Sequence, residues 1–423
     1  MAPSIWKTLR CEYFSEGIRT MPSNPTTPAQ DRCFAGTVGR FQSFRDNQRT
    51  DGGTLRSAQL AEMLARAGIQ TVDVGSSSLP GFSMKIYGAG IGLALRERLP
   101  GLLSRARLWQ YGSKACSLDR WMAENPNVRV TLWERTQQPL LPCLAAAKGL
   151  KVIAIPHNLE SLVPDRVDRL TGKGLPQSLN LEIEYLRRMT SVFVISREEQ
   201  WLLEAFGVKA QYLPYFPPAV QLQWLLNVRK VRESTARSSR FLLLGSITNT
   251  PTRQGVTELL RYIQSQPAMA NIGLDVVGNG TESLESEIRT AGIRLHGKLS
   301  DNTLSGLLST ASAALVFQRF GAGALTRIPE MLIAGVPVIC NAVGGRSMLH
   351  FSGVHCFESW SEMFELMKSK LEMPPVPEAP ERQEKAFITA IRSAAGWQNK
   401  RTPVAGAEDE QLKVRYETVD LRS

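Results

Sequence analysis

The sequence predicts an α/β protein of two doubly wound parallel-sheet domains, and three observations carry that prediction. Short apolar runs recur with helical stretches between them, at 151–155 (KVIAI), 191–195 (SVFVI), 241–244 (FLLL), 273–277 (GLDVV) and 314–317 (ALVF), as buried parallel strands do. Pro214, Pro217 and Pro218 interrupt this pattern midway, as a linker does. The 423 residues suffice for two full cores.

Taken in order, residues 1–30 are polar, carry Pro22, Pro25 and Pro28, show no clear period and read as a poorly ordered leader. The first domain is placed at 31–218. A weak strand lies within 35–44, broken by Gly36 and Gly39. A turn at 49–54, with Gly52 and Gly53, leads into a helix over 55–67 whose Leu60, Met63, Leu64 and Ala67 share a face, with Gly68 as its cap. Strand 69–74, a helical piece at 118–123, strand 128–133, helix 138–148 and strand 151–155 follow. That last strand runs into His157 and Asn158, and a polar group just past a central strand lies in the crevice where doubly wound sheets bind ligands. Helix 179–189 carries Glu182 and Glu184, strand 191–195 follows, and helix 198–206 closes at Gly207. Residues 219–240 are basic, with Arg229, Lys230, Arg232, Arg237 and Arg240 against Glu233; they read as an exposed connecting helix, with a basic helix facing a membrane or an acceptor as the alternative.

The second domain, 241–372, opens on strand 241–244 and Gly245, then a loop over 247–255 holding Arg253 before a helix at 256–263. Strand 273–277 ends in Gly278-Asn279-Gly280. Strand 293–297 ends at Gly297 and is followed by Lys298, Leu299 and Asp301, the expected cap of a helix to 308. The stretch around which the chain is organised is 313–346. A strand at 314–317 enters a loop with Gly321 and Gly323. A helix starts at Thr326–Arg327 with Pro329 in its first turn, where a missing N–H costs little, and ends at Gly335. Strand 336–339 and a tight loop at Gly344-Gly345 complete the unit. Such a strand–loop–helix–strand unit presents free N–H groups where a phosphate can sit. Arg327 adds a charge there, and Glu330, one turn further in, can accept two hydroxyls of a ribose or a sugar. Pro374, Pro375, Pro377 and Pro380 then break the chain before a last amphipathic helix at 382–395, within a segment 373–397; residues 398–423 read as a solvated tail.

GAGALTRIPEMLIAGVPVI, residues 321–339, resembles the donor-binding signature of GT-B glycosyltransferases of the retaining family-4 type. That signature is a Gly-rich loop, a basic residue, a Glu, then A-x-G-x-P-V-[IV]. The resemblance implies two Rossmann-like domains facing across a cleft. It implies transfer of a sugar from a nucleotide-sugar co-substrate to a hydroxyl of a carbohydrate or lipid-linked acceptor, with retention and with neither cofactor nor metal. In that family the Glu holds the ribose and the basic residue faces the diphosphate, roles that fall on Glu330 and Arg327. Gly321, Ala322, Gly323, Ala324, Leu325 and Thr326 then line the donor. His157 matches the His that contacts the transferred sugar or assists catalysis. Gly52 and Gly53 match the first-domain loop that nears the donor phosphates, Gly245 and Arg253 the diphosphate loop, and Gly297, Lys298 and Leu299 the loop that meets the base, mainly through backbone. The C-terminal helix is implied to cross back onto the first domain. One departure stands out: many members carry a further Glu eight positions before the ribose Glu, where this chain has Ala322. That departure favours a second reading, a catalytically silent GT-B scaffold binding a glycan or a protein. A nucleotide-sugar epimerase would need acid/base carboxylates that the sequence does not display.

Composition bounds the remaining classes. Hydrophobic residues at 43% and charged residues at 21% are ordinary for a globular chain, and no apolar run approaches the roughly 20 residues that span a bilayer. The six cysteines are scattered without a CxxC pair, and the four histidines show no HExxH spacing, so no protein-bound metal is expected. No secretory signal is visible, which points to the cytoplasm. The net charge of +11 comes without an RNP, zinc-finger or basic-zipper pattern. Nucleic acid is therefore not the expected partner; an anionic sugar donor or the inner face of an anionic membrane fits the charge as well, and most of these residues read as a solvated basic surface.

Overall fold

The apolar runs assemble into two six-stranded parallel sheets in the computed structural model. The structure describes residues 36–41, 52–74, 83–96, 105–136, 139–163, 179–269, 271–288 and 290–397. All belong to one compact unit, residues 35–423. The expected leader and polar tail lie outside the described residues.

The first sheet holds β1 (Gly36–Phe41), β2 (Ile69–Asp73), β3 (Val130–Trp133), β4 (Lys151–Ala154), β5 (Ser191–Val194) and β6 (Ala210–Tyr212), in the order β2-β1-β3-β4-β5-β6. Its helices are α1 (Gly52–Arg66), α2 (Met84–Arg96), α3 (Arg105–Glu124), α4 (Leu140–Ala147), α5 (Leu179–Arg187) and α6 (Arg197–Ala205). Next comes α7 (Ala219–Ser234). The second sheet holds β7 (Arg240–Leu244), β8 (Gly273–Val277), β9 (Ile293–Gly297), β10 (Ala314–Val316), β11 (Val338–Asn341) and β12 (Val354–Phe357), in the order β12-β11-β10-β7-β8-β9. Its helices are α8 (Thr250–Ser265), α9 (Asp301–Thr310), α10 (Arg327–Ile333), α11 (Ala342–Gly345) and α12 (Trp360–Lys368), and the described chain closes with α13 (Glu381–Ala395). Each sheet is built outward from its first strand, so the order reverses once per sheet, between β1 and β3 and between β7 and β10. Those are the points at which loops diverge and leave a crevice for a ligand.

Each sheet is covered on both faces, which is why its strands are apolar on both sides. In the first lobe Leu60, Met63 and Leu64 of α1 pack on one face beside Phe387 and Ile391 of α13. The other face is filled from α3, α4 and α5. The C-terminal helix thus docks on the first sheet; the Phe387 ring meets Phe193 edge-on, centroids 5.2 Å apart.

Several local expectations change. Residues 219–234 are no exposed connector: α7 buries Leu225, Val228, Arg229 and Arg232 in the second lobe. Arg232 donates to the carbonyls of Gly335 (2.8 Å) and Leu308 (2.7 Å), and Arg229 to those of Leu332 (3.2 Å) and Pro374 (2.6 Å). The basic residues thus bind carbonyls at the C-terminal ends of α9 and α10 and that of Pro374. Helix α8 starts at Thr250 with Asn249 as its cap, so Arg253 stands, exposed, on its first turn and not in a loop. Ser300, whose side chain accepts from Thr303 N–H, caps α9 in place of Asp301. Gly344 and Gly345 belong to the short helix α11, because Asn341 accepts the Gly344 N–H at 3.1 Å and starts a helical turn. Gly52 and Gly53 form the first turn of α1 instead of preceding it. The second strand of the 313–346 unit is shifted to Val338–Asn341. Helix α2 was not foreseen at all. Its Gly90 lies against the Leu108 carbonyl and Gly112 of α3 against the Ile86 carbonyl, a helix crossing close enough to exclude any side chain at either position.

Candidate functional site between the two lobes

The site begins at the reversal point of the second sheet. Gly245 leaves the end of β7, and the turn 321–326 leaves the end of β10 beside it. The Arg327 guanidinium lies between them: it donates to the Leu244 carbonyl and occupies the space that a side chain at Gly245 would need. Its Nε is buried with no hydrogen-bond partner. Burial lowers its pKa to about 10, with Arg346 adding to the effect, so the group remains a cation at neutral pH. Among the described residues the N–H groups of Ala324, Leu325, Thr326 and Arg327 have no acceptor, and the Thr326 side chain does not cap the helix. Four open N–H groups in succession beside a guanidinium make a concave donor surface, the arrangement that holds oxyanions.

The first lobe reaches the same place through α1. Thr326 Oγ1 lies 2.9 Å from where a Gly52 Cβ would stand, so the first turn of α1, with Gly53, faces the first turn of α10. The N-terminal ends of two helices converge there, and helix N-termini favour negative charge.

Glu330 is 9% exposed, and its Oε1 accepts the Tyr215 hydroxyl at 2.7 Å. Burial raises its pKa to about 7, although the Tyr215 hydrogen bond works the other way. Tyr215 sits in the linker after β6, and Arg56 of α1 ties the preceding residues down through the Leu213 (2.7 Å) and Pro214 (3.0 Å) carbonyls. The carboxylate expected to meet a ribose is therefore tied to the hinge between the lobes.

His157 is buried just past β4, with Nε2 3.4 Å from Glu134 Oε2. Glu134 follows β3, pairs with Arg40 of β1 and accepts from Ser57 of α1 at 2.5 Å. This buried network fills the reversal point of the first sheet. Burial tends to raise the Glu134 pKa, but Arg40, with help from His157, holds it at about 2. For His157 burial outweighs the neighbouring carboxylate and lowers its pKa, so the imidazole is neutral at pH 7. Its backbone is the part that reaches the second lobe: a Cβ on Gly323 would stand 2.6 Å from the His157 carbonyl oxygen. Gly323 adopts φ 67°, open to glycine.

The turn 321–326 is packed more tightly than its glycines alone suggest. Arg346 spans it from inside, donating to the carbonyls of Gly323 (2.6 Å) and Ala322 (2.7 Å) and to Gln318 Oε1 (2.8 Å). Gly321 is the residue that leaves room for that guanidinium. The Gly323 N–H is also engaged, by Glu199 Oε1 at 2.8 Å. Ala324 and Leu325 rest half-buried on the second core.

The other expected positions lie around this centre. Gly297 is buried; its N–H donates to Thr281 Oγ1 (3.0 Å) and its carbonyl accepts from Gly278 (2.8 Å), so neither is open to a base. Lys298 is exposed, Leu299 half-buried, and Arg253 exposed. Arg346, Glu199, Tyr215 and Glu134 were not picked out from the sequence. Glu199 had one local signal, its place in the first turn behind the capping Ser196. Among the described residues no cluster of three or more His, Cys, Asp or Glu could hold a metal ion, and no helix is long and apolar enough to cross a membrane.

No protein-family model and no curated protein sequence matches this chain. Solved structures do match. An α,α-trehalose-phosphate synthase (UDP-forming) from Burkholderia vietnamiensis superposes with a TM-score of 0.55 at 12% identity, over 88% of this chain and 98% of that one. A sucrose-phosphate synthase from Thermosynechococcus elongatus does so with a TM-score of 0.53 at 14% identity, over 90% and 99%. The fold is GT-B. TarM aligns over 71% of this chain, which spans 58% of TarM's length, at 10% identity and a TM-score of 0.45. At such identities the likeness is one of fold alone. In this chain the loops that leave the two sheets meet at Gly323 and His157 and at Gly52 and Thr326, and the residues above lie around that seam.

Proposed function

We propose that this chain is a nucleotide-sugar-dependent glycosyltransferase acting on a hydroxyl of a carbohydrate or lipid-linked acceptor. The observation that carries the reading is the row of open N–H groups at 324–327 beside Arg327, opposite the first turn of α1. The donor diphosphate would lie there, with the ribose toward Glu330 and the sugar toward His157. In the reaction the bond from C1 of the sugar to the diphosphate oxygen breaks, and the acceptor oxygen bonds to C1. The acceptor hydroxyl gives up its proton to the departing diphosphate, and the nucleoside diphosphate leaves. Negative charge grows on the diphosphate as it departs, and preorganised N–H groups with one buried guanidinium stabilise it as it forms. Retention, and these cationic and backbone donors in place of a metal, complete the proposal. The buried arginines of α7 are spent on helix carbonyls, so contact with an anionic membrane would have to use other cations.

The scaffold reading has one observation in its favour: Ala322 offers no carboxylate, and its carbonyl is already bound by Arg346. Titration calorimetry with UDP, GDP and TDP, on wild type, Arg327→Met and Arg253→Met, tests the site. At least one nucleotide should bind, and Arg327→Met should weaken it by about tenfold or more, the worth of one charge-assisted contact, while Arg253→Met changes it far less. No binding, or equal loss in both variants, would sink the donor site. Binding without release of nucleotide from any sugar donor would favour the scaffold.

A further inference from the structure

The first turn of α6 does something that sugar transfer as described does not require. Glu199 is 3% exposed and its Oε1 accepts two N–H groups, Leu159 at 2.8 Å and Gly323 at 2.8 Å. Leu159 lies two residues past His157 in the first lobe, and Gly323 lies in the turn of the second. One carboxylate oxygen thus joins the two loops that face each other across the seam, using the two lone pairs that such an oxygen offers. Its Oε2 is buried with no partner.

The neighbouring residues of the same turn hold the second lobe as well. The Arg197 N–H donates to Ser347 Oγ at 2.8 Å, the Ser347 N–H to Glu198 Oε1 at 2.8 Å, and Ser347 Oγ to Glu198 Oε2. Ser347 has φ 64°, the one non-glycine residue with positive φ among the described residues. A serine held there implies surroundings that over-determine it, and such positions gather at functional sites. Arg346, next to it, binds the Gly323 carbonyl, so Gly323 is held on both sides, its N–H by Glu199 and its carbonyl by Arg346. A carboxylate costs much to bury, and what offsets that cost here is the pair of backbone N–H groups that no apolar residue at 199 could accept.

We infer that Glu199 is a positioning residue: it ties the turn 321–326 to the loop after His157 and thereby sets the gap in which the donor sugar would lie. The functional half of this inference rests on the proposed donor site; the structural half does not. Glu199 touches neither Arg327 nor the open N–H groups at 324–327, so its loss should disturb sugar placement more than nucleotide binding.

The test uses full-length Glu199→Gln, Glu199→Leu and Glu199→Asp. Amide exchange is read at Leu159 and Gly323, and kcat and KM with whichever nucleotide-sugar the wild type turns over. An amide oxygen can accept the same two N–H groups, so Glu199→Gln should keep slow exchange and near-wild-type turnover. Glu199→Leu should speed exchange at those two amides by about tenfold or more, leave β4 and β10 unchanged, and lower kcat with little change in KM. Should the leucine variant fail to fold, Glu199→Asp, which keeps the charge but withdraws it by one methylene, should show the same local loss. Unchanged exchange at Leu159 and Gly323 in the leucine and aspartate variants would overturn the inference. So would a glutamine variant as damaged as the leucine one. A wild type that binds no nucleoside diphosphate would defeat the donor site instead, and the exchange comparison would still decide the role of Glu199.

Discussion

Raising the pH from 5 to 8 should weaken this protein through two carboxylates at the seam. Burial raises both Glu199 and Glu330 from 4.5 to about 7. A group whose pKa is higher in the folded state adds stability that is complete below its unfolded value and is lost as the pH climbs through the folded one. At about 1.4 kcal/mol per unit, a rise from 4.5 to about 7 makes the loss on the order of 3 kcal/mol for each carboxylate by pH 8. That is a large part of the 5–15 kcal/mol or so by which domains are usually stable. Glu134 does not interfere, because a carboxylate held at about 2 adds stability above 4.5 that is lost only toward pH 2. His157 acts in the opposite sense: burial lowers its pKa, so stability is gained as the pH rises toward 6.5. The decisive quantity is therefore a difference between proteins. Urea unfolding of wild type, Glu199→Gln and Glu330→Gln, followed by Trp fluorescence at pH 5, 6, 7 and 8 and constant ionic strength, supplies it. Each variant should fall less than wild type between pH 5 and 8, by about 3 kcal/mol at most. A wild-type-minus-variant difference that stays flat from pH 5 to 8 would refute the claim that these carboxylates resist ionisation.

Three further outcomes follow from single contacts. Gly323→Ala places a Cβ 2.6 Å from the His157 carbonyl at φ 67°, and should cost at least about 1–2 kcal/mol by chemical denaturation, the left-handed penalty alone. A neutral result would mean that the turn does not rest on the His157 loop. Arg232→Met strands the Gly335 and Leu308 carbonyls and should lose about 1–3 kcal/mol in the same measurement, although the residue reads as surface charge. Phe387→Ala empties a fully buried site against Phe193 and should cost about 3–5 kcal/mol; a loss under about 1 would mean that α13 does not dock on the first sheet.

What could be seen in the sequence was what local rules govern. The strand runs KVIAI, SVFVI and FLLL and the Pro329 helix start appear because burial on two faces and a fixed backbone angle leave a mark on adjacent residues. The α7 arginines show how such a rule can mislead. Leu225, Val228, Arg229 and Arg232 lie at positions that share one helical face, so the buried stripe runs on through two charges. The position was visible; the hydrophobic code hid it, because long stems can be buried when the head finds carbonyls.

The seam is where sequence reasoning runs out, for a physical reason. Glu199 and Gly323 are 124 residues apart, Tyr215 and Glu330 are 115 apart, and no periodicity links such pairs. Each looks locally like something else: Glu199 a first-turn glutamate, Tyr215 a linker aromatic, Arg346 a basic residue after two glycines. Ala322 looked like a missing carboxylate because the sequence shows only what its own loop carries. The fold brings Glu199 from the opposite lobe to the next residue's N–H, so a buried carboxylate does stand at that turn. It is spent on holding the turn in place, and its Oε2 is the acceptor that remains.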